Sequence, residues 1–254
     1  MAKWSLEGKK ALVTGGSKGI GKAVVSELLE LGAEVIFTAR NEEAVNQVQE
    51  HFIQKDYPVH GLTADVTSIT HRHQLTKWIE NQWGKLDILV NNAGINIRKP
   101  SSDYLQEEYR RVLETDLIAP FELSRELFEL LKKSGHAAVV NVASVAGIMD
   151  ANTGAPYGMA KSGLIQLSRN LASEWAGSHI RVNTVSPWFT QTPATQAILS
   201  NPERLQQIIA RTPVGRVARD EEVAAAIVFL VMDQASFITG QNLVVDGGAT
   251  SSVL

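Results

Sequence analysis

The feature that most constrains this chain is a glycine-rich loop between a predicted strand and a predicted helix. The apolar run Ala11–Val13 leads into Thr14–Gly21, which reads TGGSKGIG, and Ile20–Leu31 continues with a helical pattern. The first turn of a helix directs free N–H groups and a positive dipole end at one point, so we predict that this loop binds the phosphates of a dinucleotide. The spacing is G-x-x-x-G-x-G rather than G-x-G-x-x-G, and a tight turn that uses glycine only for positive φ is the alternative.

Short apolar runs rich in β-branched residues alternate with helical stretches along the chain. The predicted strands are Ala11–Val13, Val35–Thr38, Val59–Ala64, Leu86–Val90, Ala137–Val142, Ile180–Val185 and Leu243–Val245. Such alternation is typical of βαβ units, in which helices cover both faces of a parallel sheet. We therefore predict a doubly wound, three-layer α/β fold, with residues 1–254 forming one domain. Two stretches, Ser102–Lys133 and Ala155–Trp175, predict unusually long helices.

Composition and charge exclude several classes of function. The net charge of −3 offers no basic surface for a nucleic acid, and the absence of cysteine excludes disulfides and thiolate chemistry. The only close histidine pair, His71 and His73, is better explained as solvated surface than as a metal site. Met1–Leu6 has no apolar signal core, and the longest apolar run, Val223–Met232, is too short to span a bilayer. We expect a cytoplasmic protein without a metal, nucleic-acid or membrane partner.

The end of the second predicted strand indicates which dinucleotide binds. An acidic residue at this position usually holds the ribose 2′-hydroxyl of NAD, whereas a 2′-phosphate needs cationic partners. The chain has Ala39 and Arg40 there, and Lys18 in the glycine loop supplies a second positive charge. These residues favour NADP(H), unless both cations are ordinary surface charges.

A second group of residues supplies candidate chemistry. Tyr157 and Lys161 are four residues apart in a predicted helix, so both side chains project from one face. A neighbouring ammonium favours the phenolate form of a tyrosine, which makes the pair a workable acid and base. Ser144, at the end of a predicted strand, offers a hydroxyl that can orient a substrate oxygen. Y-x-x-x-K alone occurs often by chance, so the pair gains meaning only from its context.

Taken in order, these motifs resemble the short-chain dehydrogenase/reductase family, of the classical type. The matching pieces are Thr14–Gly21, Asp65 with Val66, Asn91–Gly94, Ser144, Tyr157 with Lys161, Pro187–Pro193 and Asp246–Gly248. Within the family, Trp4–Gly21, the E-W-A at Glu174 and Ile180–Pro187 are most similar to the tropinone-reductase-like group. The resemblance implies a Rossmann fold of about seven strands, a dimer or tetramer built on the two long helices, and reversible NADPH-dependent reduction of a small or medium ketone to a secondary alcohol.

The resemblance also implies roles for individual residues. The cofactor-binding residues are Gly15, Ser17, Lys18, Gly19, Ile20, Gly21, Arg40, Asp65, Val66, Asn92, Ala93, Gly94, Tyr157, Lys161, Pro187, Thr190 and Thr192, with Asp65 at the adenine and Thr192 near the nicotinamide carboxamide. The catalytic residues are Ser144, Tyr157, Lys161 and Asp116. The substrate contacts Ile95, Asn96, Val145, Trp188 and Phe189, within the variable segments Ile95–Arg98, Val145–Thr153 and Trp188–Pro213. The last segment, 188–213, is expected to be a flap over the pocket.

Two positions depart from the family pattern. The family usually has asparagine, which supports a water in the proton relay to the lysine, where this chain has Asp116. If the relay uses the backbone carbonyl at this position the change is tolerated; the alternative is that the carboxylate pairs with Lys161 and alters the pH profile. The family usually has glycine after Pro187, where this chain has Trp188, a ring that either narrows the pocket or points outward.

Three alternative functions remain open from the sequence. A 3-oxoacyl-thioester reductase needs a basic patch for its acyl-carrier-protein partner, for which Arg98, Lys99 and Arg211 are only suggestive. A sugar-acid or polyol dehydrogenase needs a more polar pocket. A non-catalytic NADP(H)-binding regulator has only Asp116 in its favour, because Ser144, Tyr157 and Lys161 are all present.

Overall fold

The structure of the protein is a computed structural model that describes residues 4–251, with a parallel sheet at its centre. The strands are β1 Lys10–Thr14, β2 Glu34–Ala39, β3 Val59–Thr63, β4 Ile88–Asn91, β5 Ala137–Val142, β6 Ile180–Pro187 and β7 Asn242–Val245. Their order in the sheet is β3-β2-β1-β4-β5-β6-β7, and neighbouring strands pair in parallel. The predicted seven strands are therefore confirmed.

Helices cover both faces of this sheet. They are α1 Gly19–Glu30, α2 Glu42–Ile53, α3 Ile69–Trp83, α4 Gln106–Leu113, α5 Ala119–Glu126, α6 Phe128–Ser134, α7 Ala155–Trp175, α8 Gln196–Leu199, α9 Pro202–Ala210 and α10 Asp220–Val231. One apolar layer joins the sheet to α1, α2 and α10, and a second joins it to α3, α5, α6 and α7. The predicted three-layer α/β fold is confirmed.

The central strands are apolar because both of their faces are covered. All six residues of β5 are buried, and the same holds for the four residues of β4. Phe37 packs in the first apolar layer, while Leu89 and Trp175 pack in the second. Parallel strands enclosed in this way have near-continuous runs of Val, Ile and Leu, which explains why they were predictable.

The strand order places an opening beside β1. Its two neighbours, β2 and β4, lead in opposite directions across the sheet, and such switch points hold ligands in open α/β folds. Asn92, just past β4, donates through Nδ2 to the carbonyl of Thr14 at 2.9 Å, and its own N–H donates to Thr14 Oγ1 at 3.0 Å. These bonds join the carboxyl ends of β1 and β4.

One long helix was correctly predicted and the other was not. The stretch Ala155–Trp175 forms α7. The stretch Ser102–Lys133 is not continuous, because Glu114–Ile118 forms a π-helical turn and a break separates α5 from α6. A π turn contains one extra residue, and here it brings Thr115 and Asp116 into buried positions. Within residues 4–251, no helix has the length and apolar character needed to cross a membrane.

Candidate active site

A cleft of about 660 Å³ runs along the carboxyl ends of the strands. It is lined by the loops that follow β1 to β6, which bring distant parts of the sequence together. All of the predicted cofactor-binding residues line it, and so do the four predicted catalytic residues. Of the predicted substrate-contacting residues, Ile95, Asn96, Trp188 and Phe189 line it and Val145 does not.

The glycine loop leaves no room for side chains. Gly15 and Gly19 have φ values of +69° and +52°, in the left-handed region that favours glycine. A Cβ on Gly21 would collide with the carbonyl oxygen of Gly15 and with Asn92 Nδ2. A Cβ on Gly19 would lie 3.1 Å from Thr192 Cβ, so the loop packs directly against the segment that follows β6.

Two cations stand at one end of the cleft. Lys18 immediately precedes α1, and Arg40 immediately follows β2. Among the residues that the structure describes, neither side chain has an ion-pair partner within 4.0 Å. Burial opposes ionisation of the nearby Asp65, but hydrogen bonds from Thr67 and the charge of Arg40 lower the pKa of Asp65 overall. This end of the cleft is positively charged and open to an anion.

Tyr157 and Lys161 project from the first turns of α7 into the middle of the cleft. The ammonium of Lys161 lies 5.5 Å from the centre of the Tyr157 ring and donates to the carbonyl of Val142 at 3.1 Å. Ser144, just past β5, accepts a hydrogen bond from the N–H of Ala146 at 3.1 Å. The end of β5 and the start of α7 therefore bring a phenol, an ammonium and a hydroxyl into one cleft.

Asp116 forms a buried ion pair with Lys161. Its Oδ2 lies 3.2 Å from Lys161 Nζ, and its Oδ1 accepts from the N–H of Ile95 at 2.8 Å. Burial raises the pKa of Asp116, even though the charge of Lys161 opposes this shift. Burial lowers the pKa of Lys161, but the charges of Asp116 and Tyr157 and the hydrogen bond to Asp116 together exceed this effect, so the pKa of the ammonium is raised. The carboxylate thus keeps Lys161 protonated and fixes the start of the 95–98 segment.

Trp188 is one of the residues that line the cleft. Its Nε1 donates to Thr212 Oγ1 at 3.1 Å, and its ring meets that of Phe189 edge to face at 4.9 Å. Both residues line the cleft at the start of the predicted flap. That segment, 188–213, contains the short helices α8 and α9.

Val145 does not line the cleft. It begins the 3-10 turn Val145–Gly147, which carries the chain from β5 toward α7, and it is fully buried there, so its contact with the substrate stays a prediction. Several lining residues lie in segments expected to contact substrate but were not assigned individually, among them Arg98 and Thr153. The sequence could have identified Arg98, because a cation shortly after the N-N-A-G motif is apparent in it. It could not have identified Thr153, because the burial of that residue depends on the fold.

The fold and this cleft define a dinucleotide-binding α/β oxidoreductase. A family model described as enoyl-(acyl carrier protein) reductase matches residues 15–250. A tropinone reductase homolog of Arabidopsis thaliana is 43% identical over 249 residues, which cover 98% of this chain and 94% of the relative. The chain therefore belongs to the short-chain dehydrogenase/reductase family, and the predicted resemblance to tropinone reductases is confirmed.

Solved structures support the same family. A putative gluconate dehydrogenase from Agrobacterium tumefaciens superposes with a TM-score of 0.96 at 33% identity, covering 100% of both chains. A gluconate 5-dehydrogenase from Burkholderia cenocepacia, solved in complex with NADP and tartrate, superposes with a TM-score of 0.94 at 29% identity, covering 98% of both chains.

Proposed function

We propose that this protein is an NADP(H)-dependent carbonyl reductase that also runs in reverse as a secondary-alcohol dehydrogenase on small or medium ketones. The observation that carries this proposal is the convergence of Ser144, Tyr157 and Lys161 on the cleft that contains the glycine loop. The likeness to a tropinone reductase homolog and to a structure that holds NADP supports the same assignment.

The residues at the cationic end suit NADP(H). At Gly21 a side chain has no room, which lets a pyrophosphate approach the backbone and the N-terminus of α1. Lys18 and Arg40 have no ion-pair partner in residues 4–251, so both are available to a 2′-phosphate. Asp65 is assigned to the adenine, and Asn92–Gly94 and Thr192 line the path toward the nicotinamide. When bound, NADPH supplies the hydride for the carbonyl carbon.

The protein supplies the proton and orients the oxygen. The Tyr157 hydroxyl donates its proton to the carbonyl oxygen as hydride reaches the carbon, and Ser144 donates a hydrogen bond to the same oxygen. The ammonium of Lys161, 5.5 Å from the ring centre, stabilises the phenolate that remains on Tyr157. In the reverse direction, the phenolate accepts the proton of the alcohol.

Asp116 is a positioning residue in this scheme. It forms an ion pair with Lys161 and accepts a hydrogen bond from the N–H of Ile95. Asp116 therefore connects the lysine beside Tyr157 to the 95–98 segment of the predicted substrate site. Asp116 and Lys161 are both buried, which keeps the geometry of their ion pair fixed.

The carrier-protein alternative finds little support in the site. Lys99 is held by Glu108 at 2.5 and 2.7 Å, and Arg211 does not line the cleft. Only Arg98 of the suggested basic patch remains at the cleft. The regulator alternative is not favoured either, because all three catalytic groups line one cavity.

The proposal is tested by following NADPH consumption with a panel of ketones and by replacing Tyr157 with Phe. We expect kcat to fall by about 10²- to 10⁴-fold in Tyr157→Phe, the usual contribution of a positioned general acid. Fluorescence titration with NADPH should show unchanged binding in the same variant, because the ring and its contact with Lys161 remain.

The matched control is Tyr57→Phe, which removes a hydroxyl from a tyrosine outside the cleft and should retain full activity. Retained turnover in Tyr157→Phe contradicts the assigned proton donor. NADPH binding without consumption across the whole panel contradicts the proposed activity and favours the regulator.

A further inference from the structure

One cation of the cleft lies away from its cofactor end. Arg98 follows the N-N-A-G motif by four residues and lines the cleft, where it is exposed. Its side chain forms no ion pair within 4.0 Å with any residue that the structure describes. The adjacent Lys99 differs, because both oxygens of Glu108 hold its ammonium. Arg98 therefore offers the candidate substrate site an unpaired guanidinium.

The backbone on both sides of Arg98 is fixed. The hydroxyl of Tyr104 donates to the carbonyl of Ile97 and accepts from the N–H of Lys99 at 3.3 Å. At the start of the segment, the N–H of Ile95 donates to Asp116 at 2.8 Å. Because the chain is already anchored here, a ligand that binds Arg98 loses little free energy in ordering this segment.

A neighbouring amide also lacks a partner. The side-chain oxygen and nitrogen of Asn96 are both buried, and neither has a hydrogen-bond partner among the residues of the described structure. Buried amides are almost always hydrogen bonded, but both of these atoms are closed off from solvent, so a ligand in the cleft does not reach them in the present side-chain conformation. Asn96 lines the same cleft as Arg98.

The charges of the lining residues also indicate that an anion binds in the part of the cleft beside Arg98. Four cationic side chains and two acidic ones line the cleft, in a chain whose net charge is −3. Both acidic residues are engaged, Asp65 by Thr67 and Asp116 by Lys161. Lys18 and Arg40 are assigned to the cofactor and Lys161 is paired with Asp116, so Arg98 is the cation left for the substrate among these lining residues.

We propose that the substrate is an oxo or hydroxy carboxylic acid, whose carboxylate binds Arg98. A planar guanidinium binds a carboxylate through two parallel N–H···O bonds, and such charge-assisted bonds are strong and specific in geometry. The inference rests on the proposed function: the carbonyl carbon gains hydride, its oxygen gains the proton of Tyr157, and the carboxylate stays unchanged as the handle.

The test compares oxo acids with their methyl esters in the intact enzyme. The series varies the distance between carbonyl and carboxylate, and kcat/KM is measured with NADPH for each acid and its ester. We expect the best acid to exceed its ester by more than about 10-fold, and Arg98→Gln to lower this acid-to-ester ratio by about 10- to 100-fold, mainly through KM. Arg98→Lys should recover part of the ratio, because lysine keeps the charge but loses the fork geometry.

The matched control is Arg211→Gln, which removes an arginine outside the cleft and should leave the ratio unchanged. An NADPH affinity equal to that of the wild type shows that Arg98→Gln is folded. A wild-type ratio near one, or a ratio that survives Arg98→Gln, overturns the inference while leaving the carbonyl reductase assignment intact.

If no compound in the series is reduced, the proposed function is contradicted and the carboxylate site has to be tested by binding. Calorimetric titration of the NADP⁺-loaded protein with a hydroxy acid and with its methyl ester then decides the inference alone. Tighter binding of the acid that is lost in Arg98→Gln supports a carboxylate site, and equal binding of acid and ester overturns it.

Discussion

At the scale of single residues, the choice of coenzyme depends on Arg40. It follows β2 at the position where an acidic residue would hold the 2′-hydroxyl of NAD. The structure places its side chain in the cleft, close enough to Asp65 to lower the pKa of that carboxyl together with Thr67. A cation without an ion-pair partner here favours a coenzyme that carries an additional phosphate.

Arg40→Asp should reverse this preference. A carboxylate repels the 2′-phosphate and accepts hydrogen bonds from the ribose hydroxyls, so we expect kcat/KM for NADPH to fall by about 10- to 100-fold relative to that for NADH. Initial rates with both coenzymes at a fixed ketone concentration measure the change. Lys55→Asp makes an equal charge change outside the cleft and serves as the control, and an unchanged preference in Arg40→Asp would remove the argument for NADPH.

At the scale of elements, the π turn Glu114–Ile118 gives the site its acidic group. It lies between α4 and α5, and Asp116 within it is fully buried against Lys161. π turns often occur at functional sites, because the extra residue turns a side chain toward a position that a regular helix would not supply. Asp116 therefore contacts α7 and the 95–98 segment at once.

Asp116→Asn and Asp116→Ala separate the charge of this residue from its hydrogen bond. Both remove the charge that raises the pKa of Lys161, so the ammonium should lose its proton at lower pH and the alkaline limb of kcat/KM should move to lower pH. Only asparagine still accepts from Ile95, so we expect Asp116→Ala to lose about 10-fold more activity than Asp116→Asn. Full pH profiles of both variants provide the measurement, and identical profiles in wild type and Asp116→Asn would show that the ion pair does not affect turnover.

Elements were predictable where burial leaves a pattern in the sequence. The strands and α7 followed from apolar runs and helical spacing, since each packs on the sheet along its whole length. The π turn was missed because the stretches on either side of it each keep helical spacing, and the one-residue shift between them does not by itself identify a π turn. Val145 lies outside the cleft because it is buried in a short turn that packs against α7, which its sequence does not reveal. Arg98 was left unassigned because its unpaired state depends on where Glu108 and other acidic residues lie in the fold.

At the scale of the whole molecule, stability depends on how the helices of one layer pack together. Glu27 of α1 is partly buried where α1 contacts α10. Burial, followed by the charges of Glu30 and Glu221, raises the pKa of Glu27 from 4.5 to about 7. Because the folded pKa lies above the unfolded one, this group contributes stability that is present below pH 4.5 and lost as the pH rises through about 7.

Glu27→Gln should therefore stabilise the protein in alkaline solution alone. The full shift corresponds to roughly 3 kcal/mol, which partial solvent screening reduces to about 1 kcal/mol at pH ~8, or ~2–4 °C in Tm. At pH ~4 the two proteins should melt together, because Glu27 is then protonated in both states. Thermal unfolding across this range is the measurement. Glu50→Gln, on the exposed side of α2, should give no pH-dependent difference, and an equal gain at both pH values would contradict the argument.

Assembly of the whole molecule stays a prediction. The two long helical stretches, now resolved as α4–α6 with the π turn and α7, are the surfaces on which a dimer or tetramer is expected. Sedimentation of the purified protein at several concentrations would give the number of subunits.

The π turn Glu114–Ile118 also limits which segments can be exchanged with related enzymes. One residue of an α-helix corresponds to a rotation of roughly 100° about its axis. A transplanted regular helix of equal length would therefore turn everything beyond position 118 away from its present partners. Segment swaps must carry residues 114–118 as a unit, since the extra residue fixes the rotational phase of the helix that follows.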